Sequence, residues 1–256
     1  MTAVTLDMMR LGAVVDSGPT ALFATVSGAH LYGFASPDSD VDLRGVFVQR
    51  LEERLKLNPP DDTITIMRTE PDGLEMDWVA HDIHKFAMLM TKRNGYVLEQ
   101  LYSPLVVRTG PLHEELKDIG RGCVVRHLYH HYRGFAANQR KILDAEAPTV
   151  KDLLYAYRVY LTGIHVLRSG EIEANLGILI GHYKHDGIRE LIDRKTGGAE
   201  HGALELDEVA SHTSRLDGLE TDLGQAFEAC RLPESPTTFD ALSEFVARVA
   251  MELGRD

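Results

Sequence analysis

Hydrophobic and polar positions change their period along the chain. Residues 7–16 (DMMRLGAVVD) place apolar side chains at helical spacing, and Gly18-Pro19 ends that segment. Residues 20–27 (TALFATVS) form a compact apolar run, the pattern of a buried strand. A loop, GAHLYGFASPDSD, follows with room for one helical turn. Residues 41–48 (VDLRGVFV), 63–67 (TITIM) and 74–80 (LEMDWVA) are three further predicted strands. From residue 82 the period becomes helical: DIHKFAMLMTKRN sets Ile83, Phe86, Ala87 and Met90 on one stripe. A loop at Ser103-Pro104 and a short apolar run, LVV, come next.

After residue 112 nearly every segment is helical in pattern. Residues 113–143 form a long helical stretch interrupted near Gly120 and Gly122. VKDLLYAYRVYLTGIHVLRSG predicts an amphipathic helix, with Gly170 in a C-cap position. HDGIRELIDRK, residues 202–228 and TTFDALSEFVARVAMELG are further helical segments, the last with Thr238 as N-cap candidate. The pattern predicts an α+β chain: a small α/β front over residues 1–112 and an α-helical domain over 113–256. No internal repeat or low-complexity tract interrupts it.

Composition narrows the class. The 256 residues are 44% hydrophobic and 26% charged, ordinary for a soluble globular protein that buries a proper core. The formal net charge of −12 argues against a protein that coats nucleic acid non-specifically, which needs a surplus of Lys and Arg. A local basic groove stays open, and the acidity suits a site whose carboxylates hold divalent cations. Cys123 and Cys230 are too isolated for a zinc motif or a disulfide framework. There is no signal-peptide pattern and no run of about 20 apolar residues, so no membrane association is expected. A reducing cytoplasm is the simplest setting. Oligomeric state is open.

The chemistry concentrates between Gly28 and Gly45. Asp40 and Asp42 are separated by one residue, so in an extended segment both carboxylates project from one face. Two carboxylates a few Å apart repel unless a cation lies between them. Mg²⁺ (or Mn²⁺) suits such a pair, because it takes oxygen ligands and keeps positions for water and phosphate oxygens. Two such ions can activate an attacking hydroxyl and stabilise a leaving pyrophosphate. A third carboxylate should come from a neighbouring strand. Glu75 and Asp77 share a face, and Asp77, followed by apolar Trp78-Val79, is the favoured one; it would ligate a metal and could accept the incoming hydroxyl's proton. Gly28 opens a turn after a predicted strand, where backbone N–H groups can approach phosphate oxygens. A D-x-D pair alone is common in loops and caps. Strand, Gly turn, D-x-D strand and later acidic strand in this order are far less common.

The run GAHLYGFASPDSDVDLRGVFV resembles the signature of the DNA polymerase β-like nucleotidyltransferase superfamily. More narrowly, it is similar to the bacterial and phage group that includes RNA-repair-associated members. Gly28, Tyr32, Gly33, Ser39, Asp40, Asp42, Arg44 and Gly45 match that group's pattern. DWVAHDIHKFAMLMTKRNGYVLEQLYSPLVV, with Asp77 at the third carboxylate, and KDLLYAYRVYLTGIHVL extend the match over most of residues 20–170. The resemblance implies a short mixed β-sheet with helices, followed by a helical domain. It implies transfer of a nucleoside monophosphate from an NTP, ATP being the expected donor, to a hydroxyl acceptor with pyrophosphate leaving. An RNA or DNA 3′ end is one such acceptor; a protein hydroxyl and a small molecule are others. Asp40 and Asp42 would bind the metals, Asp77 would complete the site, and Gly28, Ala29 and Ser39 would belong to the nucleotide-binding segment. One position departs: the family's Ser after the first Gly is Ala29 here, which removes one hydrogen bond to phosphate, worth ~1 kcal/mol. The alternative reading is a non-catalytic nucleotide-binding or toxin-neutralising partner on the same fold.

Other features have plainer readings. Arg44 lies two residues past Asp42, on its face, where it would orient the carboxylates or contact phosphate. Arg158, in an apolar stretch, needs an anionic partner: an internal acid such as Asp152, or a bound triphosphate or acceptor phosphate. His127 and His131, four apart, have zinc-ligand spacing but no acidic third ligand nearby, and a helix edge is the simpler role. Tyr155, Tyr157 and Tyr160 fit core packing better than base stacking.

Overall fold

In the computed structural model, residues 6–144, 148–197, 204 and 206–255 are described. By backbone contact they form two compact units. The first takes in the described residues up to Leu31, Asp40–Cys123 and those from Pro236 onward; the second takes in Tyr32–Ser39 and the described part of Val124–Ser235. The sequence expectation set one boundary at 112/113. The contact division instead falls after Cys123 and groups the closing helix with the first unit.

The first unit opens with α1 (Met8–Val15), whose N-cap Asp7 accepts the backbone N–H groups of Met9 and Arg10 at 3.1 Å each. Then come β1 (Ala21–Val26), the five-residue α2 (Gly28–Tyr32) and β2 (Val41–Phe47). After α3 (Leu51–Arg54), β3 (Thr63–Thr69) and β4 (Glu75–Asp82) follow. Two short helices, α4 (Ile83–Thr91) and α5 (Gly95–Leu101), lead to β5 (Val106–Arg108) and α6 (Pro111–Gly120). Asp82 and Asn94 cap α4 and α5 through side-chain oxygens that accept the N–H groups of His84 and Tyr96, both at 3.0 Å.

The strands form one mixed sheet in the order β3-β4-β2-β1-β5. Only β2 and β4 run parallel; the other neighbours are antiparallel. β4 alternates strictly, with Met76, Trp78 and Ala80 buried and Asp77, Val79 and His81 half-buried. Trp78, Leu43 and Val26 pack with Leu11, Val14 and Val15 of α1 on one face of the sheet. The period of two therefore sends Asp42 and Asp77 to the opposite face. On β1, Phe23 meets Phe86 edge-on at 5.5 Å and stacks on His113 at 4.3 Å.

The second unit is helical: α7 (Leu128–Leu143), α8 (Val150–Ser169), α9 (Leu176–Tyr183), α10 (Arg189–Thr196) and α11 (Leu206–Glu228). The first residues of the 202–228 expectation lie outside the described residues. α8 is bounded as its sequence implies, by a capping box of Thr149 with Asp152 and by Gly170 in the left-handed region at φ 79°. It is not amphipathic, however, because nearly all of it from Val150 to Leu167 is buried. The closing helix, α12 (Phe239–Leu253), belongs to the first unit. Thr238 precedes it without a side-chain cap, its hydroxyl donating instead to the Ile119 carbonyl at 2.7 Å. Among the described residues no helix is long and apolar enough to cross a membrane.

Candidate active site

The parallel pairing of β2 and β4 sets Asp42 directly opposite Asp77. Both side chains keep about a third of their surface, 32% each. Arg44, two residues along β2 and so on the same face, lies between them. Its Nη2 donates to Asp42 Oδ1 at 2.7 Å and to Asp77 Oδ2 at 3.1 Å. Nη1 donates to the carbonyls of Leu43 and Asp77, and Nε donates to the Tyr96 hydroxyl at 3.0 Å. All five guanidinium hydrogens are thus committed within the protein, which makes Arg44 a clamp on the carboxylates. Tyr96 was not singled out in the sequence. Its only local signal is Asn94, which caps α5 and fixes the turn from which the phenol reaches Arg44.

Gly28 lies behind the pair. Its φ of 61° is in the left-handed region, and an added Cβ would overlap the Asp42 carboxylate. The backbone N–H of Ser27 donates to the Asp42 carbonyl at 2.8 Å, tying the end of β1 to β2. Ala29 is buried in α2, and Asp40, just before β2, is exposed. The Ser27 hydroxyl and Asp77 Oδ1 are buried and have no hydrogen-bond partner among the described residues.

Both partners of the Arg44–Asp42 pair have raised pKa values. Burial pushes the Asp42 carboxyl up first; Arg44 and His30 oppose this, while the charges of Asp77 and Asp40 add to it. Burial opposes the Arg44 charge, but Tyr96 and the two acids outweigh it. One shared guanidinium does not compensate Asp42 for desolvation and two like-charged neighbours. His30, close enough to act on Asp42, stood in the motif without a role.

The donor chemistry fits a divalent cation: hard carboxylate oxygens, one of them an orphan, around an Asp42 whose charged form is under-compensated. Among the described residues no three His, Cys, Asp or Glu side chains converge as a ready ligand set.

Ser39 and Arg158 belong to the second unit. Ser39 Oγ lies 2.9 Å from Ser36 Oγ, and the buried Lys195 donates to Ser36 Oγ at 2.7 Å, so the Ser39 hydroxyl is part of an internal network. Arg158 is 2% exposed, with its guanidinium 4.0 Å from the Tyr32 ring centroid. Asp152, one partner expected for it, is occupied in the capping box of α8. His127 stacks with His130, and His131 stacks on Phe135, so the spaced pair does not act as one unit. Tyr157 and Tyr160 are core residues, 1% exposed each.

A family model described as the RNA repair pathway DNA polymerase beta family matches residues 7–248, nearly the whole chain. The chain belongs to this family. Its membership points to nucleotidyltransferase chemistry, and polymerase beta-like nucleotidyltransferases generally use divalent metals. An uncharacterized protein of Methanocaldococcus jannaschii is 33% identical over 159 residues, covering 60% of this chain and 63% of that protein. The match thus spans less than two thirds of that relative's length.

Proposed function

We propose that the chain is a metal-dependent nucleotidyltransferase that moves a nucleoside monophosphate from an NTP, ATP first among them, to a hydroxyl acceptor with release of pyrophosphate. The observation that carries this reading is the in-register Asp42–Asp77 pair beside the Gly28 turn, with an Asp77 oxygen that has no partner among the described residues. Asp40, Asp42 and Asp77 would hold Mg²⁺ or Mn²⁺. A bound divalent ion would supply charge neutralisation for the triphosphate and a lowered pKa for the attacking hydroxyl. Asp77 would take the hydroxyl proton. Arg44 keeps the two carboxylates at fixed separation. The backbone of Gly28 and Ala29 would cradle phosphate. The family's description, which names an RNA repair pathway, favours an RNA 3′ end as acceptor.

The test uses α-labelled NTPs, Mg²⁺ and RNA oligonucleotides with free 3′ hydroxyls. Transfer of label to the RNA, lost when the 3′ end is blocked, is the expected result. Pyrophosphate release without label on RNA would move the acceptor to another class. A second reading, a nucleotide-binding protein without turnover, is favoured by one observation: Arg44 is a resident cation between the carboxylates. It predicts NTP binding with no pyrophosphate release in Mg²⁺ or Mn²⁺.

A further inference from the structure

We propose that the helical unit carries a second ligand site, a cationic pocket lined from α8, α9 and α11 that binds the phosphate group of a mononucleotide-sized ligand. The cavity has a volume of about 360 Å³, within the range of small-ligand sites. Among the described lining residues, Lys184, His185 and Arg215 stand against one acid, Asp222. That is a local excess of positive charge in a chain whose net charge is −12. The proposal is independent of the role given to Asp42 and Asp77.

Three features indicate a built site. First, the wall includes the Tyr157 phenol, which burial pushes up to about 12, so it stays a neutral hydroxyl. The phenol lies 2.7 Å from His212 Nδ1, so the wall carries a buried polar pair, and the charge of Arg215 is close enough to act on it. Second, Lys184 takes the left-handed conformation, φ 56° and ψ 42°, where its N–H closes α9 on the Ile180 carbonyl. That cap needs a left-handed residue, for which glycine or asparagine is the ordinary choice; it does not need a lysine. Third, Gly218 lies within the 23-residue α11, where glycine weakens a helix. A Cβ there would meet nothing within 4 Å, so packing does not require glycine, and its bare backbone leaves the pocket open.

The site favours a phosphate over a carboxylate because Arg and Lys together match a multiply charged anion with three or more acceptor oxygens. Free phosphate and a mononucleotide share this chemistry. The experiment is calorimetric titration of the full chain with AMP, inorganic phosphate and adenosine, in EDTA to keep metal ions from the carboxylates. AMP should bind, phosphate alone more weakly, and adenosine not measurably. Arg215→Ala and Lys184→Ala should each weaken AMP at least 10-fold, and Gly218→Leu should block it by filling the cavity. Asp42→Asn should bind AMP as the wild type does. Thermal melts establish that each variant is folded; Lys184→Ala, a change at an exposed side chain, keeps the test open if Gly218→Leu unfolds. Adenosine binding as tightly as AMP would overturn the proposal. So would the absence of AMP and phosphate binding, or AMP binding untouched by Arg215→Ala and Lys184→Ala but abolished by Asp42→Asn.

Discussion

At the residue scale, the candidate site is a problem of charge compensation. Asp42 and Asp77 face each other across a parallel pair, and a single guanidinium serves both. Arg44→Met should leave two acids without a cation. We expect a loss of about 1–3 kcal/mol, below the cost for a fully buried pair because each acid keeps solvent contact. Added Mg²⁺ should return part of it, so the melting temperature of Arg44→Met should rise with Mg²⁺ more than the wild type's does. An equal response in both proteins would separate Arg44 from the metal site. Gly28→Ala is the sharper perturbation: the methyl group would enter the space of the Asp42 carboxylate in a left-handed backbone. We expect a stability loss of about 1–3 kcal/mol by chemical denaturation, and turnover lowered by about 100-fold or more. The acids themselves were legible in the sequence, since alternation alone puts Asp42 on one face and Trp78 on the other. The clamp was not. Arg44 to Tyr96 is a contact across 52 residues, and no local pattern encodes it.

At the element scale, the four expected strands and the long helical segments are present, and two short helices, α3 and α5, are additions. α1, β1, β2, β4 and α4 follow from spacing and caps. α3 and α5, of four and seven residues, span too few turns to show a period. α8 was recognised as a helix but misjudged as amphipathic. Its buried polar residues are Tyr157, Arg158, Tyr160 and Thr162, which can be buried when packed or bonded, and burial of Arg158 over the Tyr32 ring is one result. The capping box of α8 is therefore a clean probe of the helix itself. Thr149→Ala removes the hydroxyl that Asp152 N–H reaches at 3.3 Å and that donates to Asp152 Oδ2 at 2.7 Å. We expect a loss of about 1 kcal/mol, or about 2–4 °C in melting temperature. Thr149→Ser should recover most of it, whereas equal loss in both would point to packing of the methyl group.

At the scale of the whole molecule, several imidazoles are held uncharged. His81, His113, His131, His165 and His212 all have lowered pKa values, with burial the largest cause in each, and His131 falls to about 4 with Arg158 adding to the effect. A lowered folded pKa means that the unfolded chain binds protons more readily. Stability should be flat above the unfolded histidine value of about 6.5 and should fall as pH drops from there toward 4. Urea midpoints at pH 7.5, 6 and 5 should decline in that order, and His131→Asn should flatten the decline. A midpoint that rises on acidification would contradict the assignment. The family match over residues 7–248 extends well beyond the motif that carries Asp40 and Asp42. The central claim is that this pair is the catalytic site of a nucleotidyltransferase, and pyrophosphate release from ATP in Mg²⁺ by wild type and Asp42→Asn tests it most directly. The account predicts metal-dependent release by the wild type, and a loss of about 100-fold or more in an Asp42→Asn protein that melts as a folded chain. Undiminished release by a folded Asp42→Asn protein would contradict it.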